Sequence, residues 1–165
     1  MLSNEEIIKI VKSFQTPRRF LHTQQVAKLA VDFAKTNNVN LYFAWLAAML
    51  HDIAKEFDQQ KIKFLVKEKI QQFPTINAAH GLAGAIFVCN ELNIKNKQIF
   101  NAIANHVIPS EKCSKLSMII YCADKLDPNK SKLRIEQKIE LTKLAKRDIK
   151  KAYLVIKNIF RNNFF

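Results

Sequence analysis

The sequence has no apolar run long enough to cross a membrane. Its longest run, from Leu41 to Leu50, has about ten residues, whereas a membrane span needs about 20. The N-terminus carries charged residues where a secretion signal would have an apolar core. These absences exclude a membrane-spanning protein and predict a cytoplasmic one.

A pattern of paired cysteines is also missing. The three cysteines, Cys89, Cys113 and Cys122, are odd in number, widely spaced and set in apolar stretches. This spacing fits neither a disulfide framework nor a zinc ribbon. We therefore interpret them as reduced residues of the core.

Acidic residues and glycine are scarce. There are 14 acidic against 27 basic residues, a net charge of +13, and two glycines. A strongly basic surface attracts nucleic acid, anionic membranes or a small polyanionic substrate. Lysine, asparagine, isoleucine and phenylalanine are abundant, however, and AT-rich coding alone produces this composition. We favour general composition as the source of the charge, then substrate attraction, and nucleic-acid binding last.

Apolar residues recur at spacings of three and four, with no sustained period-two alternation, which predicts helices throughout. A chain of 165 residues fits one domain with a substantial core. We predict an all-α, single-domain bundle of about seven to nine helices over residues 1–165. The expected helices start at a capping box formed by Ser3 and Glu6, and continue over about 17–35, from 40, 58–69, 76–92, 96–106, 114–126 and 136–160, the last as one helix or as two joined near 146.

The histidines share one context, which is apolar helical sequence; they are His22, His51, His80 and His106. Asp52 directly follows His51, and Asp124 interrupts the apolar stretch 116–126. A buried carboxylate without a partner is costly, and a divalent metal supplies that partner. Imidazole with carboxylate suits iron, manganese, zinc or cobalt. A single such histidine is more often a hydrogen-bonded core residue, but all four share the pattern, so we predict a metal site.

These residues resemble the H…HD…D pattern of the HD-domain superfamily. More narrowly, the chain resembles the YqeK family of bacterial HD-domain hydrolases, which cleave diadenosine tetraphosphate symmetrically into two ADP. The matching stretches are in order and cover 19–27, 47–55, 79–85, 101–106 and 119–129. In some bacteria this domain is joined to a nicotinate-nucleotide adenylyltransferase, whereas here the N-terminal helix is expected to be a complete domain start.

The resemblance implies a site with two divalent metals, with iron expected and manganese, cobalt or zinc as alternatives. The first metal would be held by His22, His51, Asp52 and Asp124, and the second by His80, His106 and the bridging Asp52. A water between two such ions loses a proton near neutral pH and can attack phosphorus. The predicted activity is therefore hydrolysis of diadenosine tetraphosphate, with Asp52 among the catalytic residues.

Three further residues are candidates for contact with the nucleotide. Lys55 lies one helical turn beyond His51 and is predicted to bind the phosphate chain and stabilise its charge in catalysis. Arg18 or Arg19, near His22, could do similar work or be an ordinary surface charge, and both rank below Lys55; Arg19 is the predicted binding residue. Asp127 aligns with an acidic position of the family and either acts in catalysis, by orienting the leaving group or a water, or only shapes the turn before Pro128.

Two segments depart from the family pattern. The family has small polar residues and a glycine after the fourth histidine, whereas this chain has Val107-Ile108-Pro109-Ser110. After Pro128-Asn129 the family has a Phe-Pro-Gly segment and a later arginine, which are absent here. Either Arg134 or Lys138 is expected to replace that arginine, and Arg134 is the predicted substrate-binding residue.

Other functions stay open at this point. The chain could be an HD phosphohydrolase acting on nucleoside monophosphates or guanosine polyphosphates, a di-iron oxygenase, or a basic nucleic-acid-binding module with structural metals. Nucleic acid is the weakest candidate, because no helix-turn-helix glycine turn or aromatic stacking platform is present. The aromatic end, Phe160 with 163–165, indicates a surface for a homodimer.

Overall fold

The computed structural model describes residues 2–161, and over this range it is helical without a strand. Within that range there are nine α-helices and two 3-10 helices. This confirms the all-α prediction and the number of helices. In chain order they are α1 Asn4–Ser13, α2 Pro17–Thr36, α3 Leu41–Leu50, α4 Gln59–Val66, a 3-10 helix Lys67–Gln72, a 3-10 helix Ile76–Ala79, α5 His80–Glu91, α6 Lys97–Ala104, α7 Lys115–Lys125, α8 Ile135–Arg147 and α9 Ile149–Phe160.

Side-chain caps set several helix starts. Ser3 Oγ accepts a hydrogen bond from the Glu6 backbone N–H at 3.2 Å, and the Glu6 carboxylate accepts one from the Ser3 N–H at 2.7 Å. This is the capping box expected from the sequence. Asp58 Oδ1 caps α4 by a single hydrogen bond, which it accepts from the Lys61 backbone N–H at 2.8 Å. Such caps satisfy backbone donors that have no partner inside the helix.

Two boundaries differ from the sequence expectations, and a third decides between two alternatives. The helix expected over 58–69 stays α-helical only to Val66 and continues as a 3-10 helix, with Lys67 in a left-handed conformation at φ 50°. The helix expected from 76 begins as a 3-10 turn and becomes α-helical at His80. The C-terminal stretch divides at Asp148, whose backbone is extended and whose carboxylate caps α9. The two-helix alternative is therefore the observed one.

The core lies where α2, α3, α6 and α7 meet. Helix α2 packs on α3 and α7, α6 packs on α3, α5 and α7, and α9 packs on α7 and α8. Phe33, Leu50, Ile103 and Ile120 are fully buried in one apolar cluster between them. A close-packed core holds helix ends in fixed relative positions, and the ends of α3, α5, α6 and α7 meet on one side of this cluster.

The expectations for Phe160 and for the three cysteines can be compared with this fold. Phe160 is buried in the core cluster, so the prediction that it forms part of an exposed dimer surface is wrong; residues 163–165 lie outside the described range. Cys122 is buried, while Cys89 and Cys113 are half-buried, and all three are unpaired.

Among residues 2–161, no helix combines the length and apolarity needed to span a membrane.

The fully buried Leu50 provides a test of the core. We expect Leu50→Ala to lower the free energy of unfolding by about 2–5 kcal/mol, since truncation leaves a cavity in a packed interior. Urea denaturation of the metal-free protein measures this. The matched control is Leu154→Ala on α9, where the leucine is 55% exposed. Equal losses in the two variants would contradict this description of the core.

Candidate metal centre

Six side chains predicted as metal ligands lie together at one end of the core. All are buried, with at most 8% of each residue exposed. Four of the six stand at or just beyond helix ends, and His22 and Asp124 lie within helices. They are His22 in α2, His51 directly after α3, Asp52 in the following turn, His80 at the first position of α5, His106 two residues after α6, and Asp124 in the last turn of α7.

The first group of donor atoms consists of two imidazoles and two carboxylates. His22 Nε2 lies 3.2 Å from Asp124 Oδ1 and 3.7 Å from Asp52 Oδ2. His51 Nε2 lies 3.6 Å from Asp52 Oδ2 and 3.7 Å from Asp124 Oδ1. Both Nε2 atoms are buried, yet neither has a hydrogen-bond partner with acceptable geometry. Their orientation fits four ligands around one cation better than direct hydrogen bonds.

The second group uses the other oxygen of Asp52. Asp52 Oδ1 lies 3.1 Å from His80 Nε2 and 3.2 Å from His106 Nε2. The two Nε2 atoms are themselves 3.2 Å apart. Asp52 therefore presents Oδ2 to the first group and Oδ1 to the second, the arrangement of a bridging carboxylate.

The opposite ring nitrogens set the tautomers. Three histidines use Nδ1 to contact the backbone carbonyl three residues earlier; these pairs are His51 with Ala48 at 2.6 Å, His80 with Asn77 at 2.5 Å, and His106 with Ile103 at 2.7 Å. A carbonyl only accepts hydrogen bonds, so Nδ1 carries the proton and Nε2 carries the lone pair. This second hydrogen bond is typical of metal-ligating histidines.

His22 obtains the same tautomer from a side chain. Its Nδ1 lies 2.5 Å from Asp127 Oδ2. Since His22 lies inside α2, the carbonyls near it are used by the helix, and a carboxylate from after α7 supplies the acceptor instead. Burial raises the pKa of Asp127, but the hydrogen bonds with His22 and the Asn129 backbone, together with nearby positive charge, outweigh burial and lower that pKa below the usual range. Asp127 is thus an anion that orients His22.

The charges in the centre depend on each other. Burial raises the pKa of Asp52, yet its close interactions with His51, His106 and His80 outweigh burial and hold that pKa well below its usual range. The pKa of Asp124 is likewise held well below its usual range, because Lys125 and Lys130 outweigh burial. Burial lowers the pKa of His106 to about 4, so this imidazole is neutral at neutral pH. The centre therefore has ionised carboxylates and a neutral imidazole, which are the protonation states of metal ligands.

Cationic side chains surround the two carboxylates. Arg19 Nη1 donates to Asp52 Oδ2 at 2.9 Å, while the buried Arg19 Nε has no hydrogen-bond partner. Lys125 Nζ donates to Asp124 Oδ2 at 2.6 Å, and Lys130 Nζ donates to Asp124 Oδ1. A cavity of about 760 Å³ opens beside His22, and its lining includes Arg18, Arg19 and Lys130. This volume is typical of a small-molecule site. Glu56 and Asp127 also line the cavity, but the cations outnumber these carboxylates and favour an anion.

The predicted substrate-binding residues fall in different places. Arg19 lines the cavity. Lys55 is half-buried, and its Nζ lies 3.4 Å from Asn77 Oδ1; burial lowers its pKa and the charge of Asp52 opposes that effect. Arg134 is exposed at the start of α8 and does not line the cavity, so its predicted contact with substrate is not supported by this structure.

Two other expectations can be compared with the structure. Asp127 has both oxygens engaged, by His22 and by the backbone N–H of Asn129 at 3.0 Å, so it orients His22 and shapes the turn. It also lines the cavity, and its catalytic role stays a prediction. Lys138 is buried, and its Nζ donates to the Pro128 carbonyl at 2.8 Å and to the Lys130 carbonyl. It therefore does not replace the missing arginine at the substrate.

Some residues of the centre carried no signal in the sequence. The buried Gln15 donates from Nε2 to the Asp52 carbonyl at 3.2 Å and accepts from Thr23 Oγ1 at 2.9 Å. It thereby connects the turn after α3 with the helix that carries His22. A contact across 37 residues has no local pattern. Lys125 was detectable in principle, because it directly follows Asp124.

With the geometry established, comparison with known proteins defines the class. The HD domain family model matches residues 19–129, and the chain belongs to the HD-domain family. A solved structure of a predicted HD superfamily hydrolase involved in NAD metabolism from Clostridium acetobutylicum has a TM-score of 0.83 at 28% identity, covering 100% of this chain and 91% of that one. HD-family membership and the His/Asp groups together indicate a divalent metal site.

The relatives agree with the narrower resemblance to the YqeK family. The chain is 31% identical over 149 residues to the symmetrical bis(5'-nucleosyl)-tetraphosphatase of Halalkalibacterium halodurans, covering 85% of this chain and 80% of that protein. It is 37% identical over 161 residues to a probable nicotinate-nucleotide adenylyltransferase/Ap4A hydrolase of Mycoplasma genitalium, covering 94% of this chain. The chain spans about half the length of the mycoplasma relatives, 46% and 44% of the two.

The close approach of α5 to α6 provides a test of the second donor group. A Cβ at Gly81 would lie 2.9 Å from the Ala104 carbonyl oxygen, so the backbone must shift in Gly81→Ala, and we expect this shift to separate His80 from His106. We expect a loss of about 1–3 kcal/mol in the free energy of unfolding and a lower metal content per chain by elemental analysis. Gly84→Ala is the control, because its Cβ would have ordinary contacts of 3.4 Å or more. Full metal content in Gly81→Ala would contradict the second group.

The contact between Asp127 and His22 can be tested separately. We expect Asp127→Ala to weaken metal binding by about 10- to 100-fold, the usual effect of losing the outer hydrogen bond of a ligating histidine. Metal titration measures this. Asp32→Ala is the control, since it removes a carboxylate that is 46% exposed beside Lys146. Unchanged affinity in Asp127→Ala would show that His22 does not need this acceptor.

Proposed function

We propose that this chain is a metal-dependent phosphohydrolase that cleaves diadenosine tetraphosphate symmetrically into two ADP. The observation that carries the proposal is the shared carboxylate of Asp52, with one donor group at each oxygen, beside a cation-lined cavity. The named activity of the bacterial relatives, symmetrical bis(5'-nucleosyl)-tetraphosphatase, supports this substrate over other nucleotides.

The donor set fits two divalent ions, with iron expected and manganese, cobalt or zinc as alternatives. Two buried Nε2 atoms lack hydrogen-bond partners, which supports the fit. His22, His51, Asp52 Oδ2 and Asp124 would hold one ion, and Asp52 Oδ1, His80 and His106 the other. When bound, such ions activate a water near neutral pH and neutralise charge on a phosphoryl group.

The protein contributes positioning and charge. The Nδ1 hydrogen bonds of the four histidines fix the neutral tautomer that has its lone pair on Nε2, and burial of the centre limits competing water. Arg19 contacts Asp52 through Nη1 and also lines the cavity, so its guanidinium is proposed to bind a phosphate oxygen. Lys55, which interacts electrostatically with Asp52, is proposed to stabilise negative charge that develops on the phosphate chain.

The domain organisation is part of the proposal. We interpret residues 1–165 as one HD domain that carries this activity by itself. This stays a prediction, because the chain spans only 46% and 44% of the mycoplasma relatives. A nucleotide polyphosphate is the expected partner.

Product analysis tests the activity. Protein loaded with ferrous iron or manganese should release ADP as the only nucleotide from diadenosine tetraphosphate, as measured by chromatography. His51→Ala should reduce turnover by more than about 100-fold, beyond the 10- to 100-fold typical of losing an outer hydrogen bond, while circular dichroism shows retained helicity. AMP plus ATP, or turnover only with nucleoside monophosphates or guanosine polyphosphates, would overturn the proposed specificity.

A further inference from the structure

The turn after α7, residues 127–130, carries a lysine that no family pattern assigned. We infer that Lys130 is a phosphate-binding residue of this site and that the buried Lys138 is the positioning residue that holds it there. This inference rests on the proposed function, since it names the group that would receive the substrate's phosphate chain.

The turn is tightly organised around Asp127. The Lys130 backbone N–H donates to the Asp127 carbonyl at 3.1 Å. The backbone N–H and side-chain amide of Asn129 donate to Asp127 Oδ1 at 3.0 and 3.3 Å. The other oxygen, Oδ2, contacts His22 Nδ1. One carboxylate therefore couples the shape of this turn to the orientation of a metal ligand.

Lys138 anchors the turn from α8. It is only 8% exposed, and its ammonium donates to the carbonyls of Pro128 and Lys130. A buried ammonium is unfavourable unless hydrogen bonds replace its hydration. Since both of these partners are main-chain carbonyls of the turn, the bonds hold the backbone of residue 130 in place.

Lys130 extends from this anchored backbone between a ligand and the cavity. Its Nζ contacts Asp124 Oδ1, the side chain is 35% exposed, and the residue lines the 760 Å³ cavity. His22 Nε2 lies 3.2 Å from the same oxygen, so a cation bound there would compete with the Lys130 ammonium. Lys125, on the other oxygen at 2.6 Å, can remain with Asp124. The displaced Lys130 ammonium would then face the cavity that Arg19 also lines, where a phosphate of the substrate would be its partner.

Position also distinguishes Lys130 from the alternatives. Arg134, the residue expected from the sequence, is exposed and does not line the cavity. Arg18 lines the cavity but is not held by the anchored turn. Lys130 combines access to the cavity, contact with a ligand carboxylate and a fixed backbone, which is the preorganisation that makes a charged group effective in binding.

The test compares ADP binding with turnover in metal-loaded protein. We expect Lys130→Ala to raise both the Kd for ADP by calorimetry and the KM for diadenosine tetraphosphate by about tenfold, the usual size of one charge-assisted contact. Metal content and Tm should remain those of the unaltered protein, and Lys130→Arg should restore most of the affinity. Lys28→Ala is the matched control, because it removes one positive charge from the exposed face of α2 and should leave Kd and KM unchanged.

Lys138→Met tests the anchor. We expect it to raise Kd and KM as Lys130→Ala does, although residue 138 does not line the cavity, because the turn is no longer held. A lower Tm with unchanged Kd and KM would show that Lys138 only stabilises the fold. That result would overturn its role as a positioning residue. If Lys138→Met does not fold, Lys138→Arg replaces it in the test, because arginine keeps the charge but changes the geometry of the hydrogen bonds. An unchanged Kd for ADP in Lys138→Arg would then count against the anchor.

Two outcomes separate this inference from the proposed function. If Lys130→Ala binds ADP normally but loses metal, Lys130 serves only Asp124 and the inference fails. If the unaltered protein binds metal and ADP but does not hydrolyse diadenosine tetraphosphate, the proposed function fails, while a weaker Kd in Lys130→Ala would still support Lys130 as a phosphate-binding residue.

Discussion

Two carboxylates buried in a helical core, those of Asp52 and Asp124, determine what surrounds them. Ionised groups removed from water are stable only when opposite charge or hydrogen bonds replace hydration. Around these two aspartates the structure places imidazoles of four histidines and the cations of Arg19, Lys125 and Lys130. The low pKa values of both aspartates show that these surroundings more than offset burial. The rest of the centre holds these imidazoles and cations close to the two carboxylates.

Helix ends explain how the imidazoles are oriented. The last carbonyls of a helix have no partner within it, and His51, His80 and His106 each use the carbonyl three residues earlier to hold the Nδ1 proton. The same local hydrogen bond, from Nδ1 to the carbonyl three residues earlier, thus occurs three times at helix ends or 3-10 turns. His22 lies inside α2 and depends on Asp127 for the same purpose. The ligand within a helix is therefore the one that requires a contact from a distant segment.

The same surplus of positive charge that stabilises the aspartates continues into the cavity. Arg19 contacts Asp52 and also lines the cavity, and Lys130 does the same with Asp124. Cations shared between a metal ligand and a substrate pocket suit a phosphate chain, because that chain brings its own negative charge to the centre. Part of the net charge of +13 is therefore concentrated beside this cavity, within a broadly basic surface.

Sequence alone determined the helices and the six candidate ligands. These features are local. Helices are indicated by caps such as Ser3 and Asp58 and by apolar residues spaced three and four apart, and each histidine in an apolar helix can be recognised separately. Only the tertiary structure decided the contacts of Asp127, Lys130, Lys138 and Gln15. The contact of His22 with Asp127 joins residues 105 apart, and that of Gln15 with Asp52 joins residues 37 apart. Helix packing sets such distances, because the direction of each side chain depends on how the helices cross and not on the residues beside it.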